Sequence, residues 1–112
     1  MIFERFDVVV VSFPFVDSIK SKSRPALVLS TSRFNRVNSH TILAMITRAT
    51  HTRWPSDLLI AELGSSGLRH ASVVRWKLFT LDNRIIQRGI GTLEEKDRNG
   101  CTAHIAAVFG LS

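Results

Sequence analysis

The sequence has little of what usually announces a cofactor or a special environment. One cysteine, Cys101, occurs in 112 residues, so no intramolecular disulfide can form and no thiolate cluster can hold zinc. Histidines 40, 51, 70 and 104 fall at no metal-ligand spacing, no paired carboxylate cluster is visible, and neither GxxxxGK[ST] nor GxGxxG occurs. A metalloenzyme or a nucleotide hydrolase is therefore not expected, and no metal or cofactor is assigned. No apolar run approaches the roughly 18 residues of a membrane span. The opening MIFERFDVVV also lacks the basic segment, long apolar core and small-residue cleavage site of a signal peptide. These absences lead us to expect a cytoplasmic protein without a membrane partner. Repeats, linkers and low-complexity stretches are missing too, and residues 1–112 are expected to form a single domain.

Acid is missing where it matters most. The chain carries 15 Lys and Arg against 9 Asp and Glu, a net charge of +6, yet from Ser18 to Ser56 there is no acid at all. Lys20, Lys22, Arg24, Arg33, Arg36, Arg48 and Arg53 all lie in that stretch, with His40 and His51. Such a one-signed stretch suits a polyanion such as nucleic acid, the alternative being a plain solvated face.

What is present is a set of short, strand-like apolar runs. They are "DVVVVSFPF" (7–15), "PALVLS" (25–30, with Pro25 opening the strand), "TILAMIT" (41–47), "DLLIA" (57–61), "ASVVRW" (71–76), "KLFTL" (77–81) and "RIIQRGI" (84–90). Asn, Asp, Ser and Gly separate them, a pattern that predicts a mainly β, compact antiparallel barrel. The period then changes in "TLEEKDRNGCTAHIAAVF". Thr92 and Glu95 stand at capping-box spacing, and Cys101, Ile105, Val108 and Phe109 share a helical face, predicting one C-terminal helix. Gly100 weakens the middle of that helix by about 1 kcal/mol relative to Ala.

Three residues stand out as candidates for chemistry. Arg24 sits at a loop-to-strand junction before Pro25, which biases its backbone away from helix. Its planar, permanently charged fork of donors suits phosphate, or it is a surface arginine bonded to a nearby carbonyl. Thr47 ends the third strand, where apolar residues give way to Arg48, Thr50, His51, Thr52 and Arg53. It is either a strand-favouring turn residue or, beside Arg24, a hydroxyl at a phosphate site. Trp54 in "RWP" could stack on an unpaired base or cap the core.

Taken together, "FDVVVVSFPFVD", "SRPALVLS", "AMITRAT", "WPSDLLIA", "ASVVRWKLFTLD" and "IGTLEE", in that order, resemble the PemK/MazF toxins of type II toxin-antitoxin systems. The likeness spans nearly the whole chain. It implies an SH3-like antiparallel barrel with a C-terminal helix and a homodimer. It also implies a metal-independent endoribonuclease acting on single-stranded RNA and silenced by a cognate antitoxin, through an acidic, partly disordered segment. The family's "RP" arginine falls on Arg24 and its "IT" threonine on Thr47. The arginine of the "VVRxD" pattern used by some members falls on Arg75, where Lys77 replaces the aspartate. The glycine common before the first-strand aspartate is Phe6 here, and the first-loop histidine of some members is absent between Phe15 and Arg24.

RNA supplies its own nucleophile, the 2′-OH, so the implied products are a 2′,3′-cyclic phosphate and a 5′-hydroxyl. In this scheme Arg24 stabilises the charge developing on phosphorus and Thr47 positions the phosphate, with Arg75 or His51 as helpers. Lys20, Lys22, Arg48, His51, Arg53 and Trp54 hold the strand. Two other classes stay open: a toxin of the same fold that inhibits a topoisomerase, and an RNA-binding barrel that does not cut.

Overall fold

The computed structural model describes residues 1–12, 23–50 and 53–111. Six strands form one antiparallel sheet: β1 (Asp7–Ser12), β2 (Ser23–Val28), β3 (His40–Arg48), β4 (Leu58–Leu59), β5 (Ser72–Asp82) and β6 (Ile86–Thr92). Their spatial order is β4-β5-β3-β2-β1-β6. Helix α1 (Ser32–Asn38) joins β2 to β3, and helix α2 (Glu95–Phe109) follows β6. Neither helix is long and apolar enough to cross a membrane. The expected barrel is only approached, because β4 and β6 end the strand order without pairing to each other among the described residues.

The unbroken valine run of β1 follows from burial on both faces of the sheet. Successive strand residues point to opposite sides. Val8 packs with Leu27, Ala44, Ile46, Val74 and Trp76, while Val9 and Val11 pack with Ala26, Val28, Leu43 and Leu81 on the other side. Helix α2 covers the first face through Cys101, and the wholly buried Leu93 fills the corner before it. Asp97 ties this helix to the sheet edge, its carboxylate accepting the backbone N–H groups of Ala61 and Glu62 at 2.9 Å each. Gly100 belongs to the same contact, since a Cβ there would meet Leu58 at 3.4 Å.

Several expectations change in detail. Residues 13–15 of the first predicted strand lie outside the described residues. "ASVVRW" and "KLFTL" are one strand, and the break read after Trp76 is a bulge. Ala44 faces Leu78 while Met45 faces Arg75, leaving Trp76 and Lys77 as extra residues on β5. Pro25 lies inside β2 rather than opening it. The C-terminal helix starts at an N-cap of Glu94, which makes no side-chain cap. Thr92 instead ends β6, its hydroxyl donating to the Phe6 carbonyl at 3.2 Å. Of the expected apolar face, Cys101 is buried but Val108 and Phe109 are about half exposed.

Helix α1 was not anticipated, because two turns are too short for an apolar period and its one buried side chain is polar. Asn35, fully buried, donates from Nδ2 to the Phe3 carbonyl at 3.0 Å, and its own carbonyl accepts from Asn83 Nδ2 at 2.8 Å. Phe6 occupies the left-handed region at φ 74°, which accounts for glycine being common at that position in the resembled family. The strain, roughly 1–2 kcal/mol, is offset by burial of the ring in the core, where the Arg5 guanidinium lies 4.6 Å from its centroid.

Candidate functional site

At one end of the sheet a groove of about 820 Å³ opens where strands end and a loop closes over them. Its walls include Arg24 and Pro25 from β2, Thr47 and Arg48 from β3, Arg69 and His70 from the loop before β5, and Arg88 from β6. Four guanidiniums and one imidazole thus converge from four segments, and among the described residues no carboxylate lines the groove. A cavity walled by such a set of cations is an anion site. Among the described residues none of these four arginines is paired with a carboxylate.

The backbone explains why Arg24 and Thr47 meet. The β2–β3 ladder runs Val28 with Leu43, Leu27 with Ala44 and Ala26 with Met45, then stops beside Pro25, which has no N–H for a further rung. Extending that register by two residues sets Arg24 opposite Thr47. Beyond the stop, Ile46, Thr47 and Arg48 pair with β5 alone, so one edge of β3 is left facing Arg24. Arg24 itself is held on its other side, opposite Val11 of β1. Both Arg24 and Thr47 are half-buried, whereas Arg48, Arg69 and Arg88 are exposed. The sheet therefore fixes two groups at the wall and surrounds them with longer-reaching cations.

The loop carrying Arg69 and His70 is pinned. Gly67 sits at φ 76°, and a Cβ there would lie 2.1 Å from the Ile90 carbonyl oxygen. Ser66 Oγ accepts from the Leu68 N–H at 3.1 Å. Ser72 Oγ donates to the His70 carbonyl at 2.8 Å, and the Ala49 N–H donates to the Ala71 carbonyl at 2.9 Å. Gly67→Ala is expected to destabilise the fold by about 1–2 kcal/mol from the left-handed backbone alone, with the clash adding to it. Thermal denaturation reads this as a melting temperature lower by several degrees, and an unchanged midpoint would show that the turn is not constrained.

Not all of the candidate residues come together. Lys20, Lys22 and His51 lie outside the described residues. Arg53, Trp54 and Arg75 are not among the residues lining the groove. Arg75 instead makes a two-pronged pair with Asp57, Nε to Oδ1 at 3.1 Å and Nη2 to Oδ2 at 2.8 Å, with both side chains largely buried. The Arg75 hydrogen bonds hold the Asp57 carboxyl below its usual range, against the opposing effect of burial and aided by the Trp54 N–H. The same pair raises Arg75. The guanidinium also lies 5.5 Å from the ring centroid of the partly exposed Trp54. Lys77 replaces an aspartate in the family pattern, but Arg75 has found its carboxylate on the turn before β4. Arg53 donates to the Ala49 carbonyl at 3.0 Å.

Arg69, His70 and Arg88 line the groove without having been singled out in the sequence. They lie 21 or more positions from the acid-free stretch's last wall residue, Arg48, and only the turn glycine of "GLRH" hinted that Arg69 and His70 were placed rather than free. Cys101 offers no nucleophile, since burial, reinforced by Asp97 and opposed by Arg5, pushes its thiol up to about 12. Among the described residues no group of three or more His, Cys, Asp or Glu side chains is placed to hold a metal ion.

Comparison with known proteins bears on both fold and family. The sequence model of the PemK-like, MazF-like toxins of type II toxin-antitoxin systems matches residues 4–109. No curated protein matches the chain. Solved structures do, among them an endoribonuclease in complex with its cognate antitoxin from Mycobacterial species. It has a TM-score of 0.76 at 16% identity, covering 97% of this chain and 96% of that one. The MazE-MazF complex from Deinococcus radiodurans gives 0.74 at 20% identity over 100% and 99%. The Mycobacterium tuberculosis toxin MazF-mt6 gives 0.73 at 20% identity over 95% and 98%. At these identities the structural likeness establishes the fold alone.

Proposed function

This chain belongs to the PemK-like, MazF-like toxins of type II toxin-antitoxin systems, and from that premise we propose that it is a metal-independent endoribonuclease acting on single-stranded RNA. The observation that carries the proposal is the groove. Half-buried Arg24 and Thr47 line it together, and Arg48, Arg69 and Arg88 surround them without an acid among the described lining residues. The ribose 2′-OH attacks the adjacent phosphorus, and charge builds on the non-bridging oxygens. Arg24 offers two parallel donors to those oxygens from a position the strand has already fixed, so little reorganisation is needed as charge appears. Thr47 donates its hydroxyl to the phosphate and holds it in line, since a threonine hydroxyl is too weak a base to take the 2′ proton. The outer arginines hold the neighbouring phosphates. Arg75, committed to Asp57, supports the partly exposed Trp54, whose indole would stack on a base of the bound strand.

Two partners belong to the same proposal. A second copy of the chain would double the run of cations, since one shallow face can hold few phosphates. An antitoxin with an acidic, partly disordered segment would compete for the same arginines. The test is incubation of the purified protein with a long unstructured RNA in excess EDTA, with end-group analysis of the fragments. Cleavage is expected to persist, to leave a 2′,3′-cyclic phosphate and a 5′-hydroxyl, and to stop where the ribose is 2′-deoxy. Adding the acidic segment should slow it, with salt restoring the rate before the protein unfolds. Strict dependence on Mg²⁺ would overturn the mechanism, and tight RNA binding without cutting would favour a binding module.

A further inference from the structure

One chemical role in this reaction has no owner among the residues already placed. The leaving 5′ oxygen needs a proton, and arginine and threonine are poor donors at neutral pH. Asp57 is held by Arg75, and among the described residues no carboxylate lines the groove. We infer that His70 is the acid that protonates the leaving 5′ oxygen. The inference rests on the ribonuclease reading and deepens it.

His70 is the one imidazole lining the groove among the described residues, and an imidazole is the side chain suited to exchanging a proton near neutrality. Its backbone is clamped: Ser72 Oγ bonds its carbonyl at 2.8 Å, and the next residue, Ala71, is bonded to Ala49 at 2.9 Å. That second bond attaches the His70 loop to the chain two residues past Thr47, tying the loop to the strand end that carries the phosphate-positioning hydroxyl. The ring is exposed and its hydrogen-bonding nitrogens are bonded to no protein group among the described residues, which leaves them available to a ligand. Among the described residues the charged groups lining the groove with it are Arg69 on its own loop, Arg48 on β3, Arg24 on β2 and Arg88 on β6, all cationic. The phosphates of a bound strand supply the balancing charge. In the step, the 2′-oxygen–phosphorus bond forms and the phosphorus–5′-oxygen bond breaks. The 2′ proton passes to solvent base, the imidazolium gives its proton to the 5′ oxygen, and solvent reprotonates the ring.

The experiment compares wild-type protein and His70→Gln on two substrates carrying the linkage mapped as cleaved: ordinary RNA, and RNA with sulfur in place of the bridging 5′ oxygen. A thiolate leaves without needing a proton. His70→Gln is expected to slow cleavage of ordinary RNA by about 10²-fold, within the range for a lost general acid, and to cut the sulfur substrate at close to the wild-type rate. Circular dichroism and binding of a 2′-deoxy strand check fold and affinity. An equal loss on both substrates, or no loss on ordinary RNA, would overturn the assignment while leaving the ribonuclease reading intact. If wild-type protein cuts neither substrate, that reading falls, and the role of His70 with it.

Discussion

Replacing Arg24 with alanine is expected to slow single-turnover cleavage of RNA by about two to three orders of magnitude, the range for a lost charge stabiliser in a preorganised site. Affinity for RNA should fall much less. Arg24 is half-buried in β2, opposite Val11 on one side and in line with Thr47 on the other, whereas Arg48, Arg69 and Arg88 are exposed and remain to hold the phosphates. A rigid guanidinium contributes most where charge appears only in the transition state, while long, mobile ones act alike on ground and transition states. Rate and affinity should therefore separate. The measurement is the cleavage rate and the affinity for a 2′-deoxy strand in the same buffer, with circular dichroism to establish folding. A folded Arg24→Ala protein that cuts at the wild-type rate would move the reacting centre to another part of the groove.

The second large effect is expected at Thr47, and its sign depends on the hydroxyl alone. Thr47→Val keeps the branched shape at the end of β3 and removes the donor, and should slow cleavage by about 10²-fold. Thr47→Ser keeps the donor and should retain much of the activity. Neither should unfold the protein, because the strand's pairing with β5 at this point is through the backbone, Thr47 opposite Val73, and the side chain makes no core cluster. If the two groups act on one phosphate as a unit, the Arg24→Ala, Thr47→Val double variant should be little worse than the slower single variant. Fully multiplicative losses would mean that the two side chains serve separate steps.

The groove was partly legible in the sequence. Arg24 and Thr47 could be proposed because each sits where an apolar strand meets a basic loop, and Arg48 follows Thr47 directly. Arg69, His70 and Arg88 could not, because a basic residue in a turn or on a strand end looks the same whether it faces a groove or open solvent. The family motif places Arg75 as a catalytic helper, and nothing in the local pattern shows that Asp57, 18 positions earlier, takes both prongs of its guanidinium.

The sequence by itself determined most of the strands, the terminal helix, the acid-free basic stretch and the single cysteine. Each of these depends on neighbours within a few positions, through alternation, turn residues and local charge. The tertiary structure decided the rest. It left β4 and β6 without a pairing to each other among the described residues, turned the break after Trp76 into a bulge, and made a helix of 32–38 around a buried asparagine. It also gathered cations from β2, β3, β6 and the loop before β5 into one wall. Those outcomes are set by which strands lie side by side and where a ladder stops for want of an N–H, and such pairings link residues tens of positions apart that carry no mark of one another in the chain.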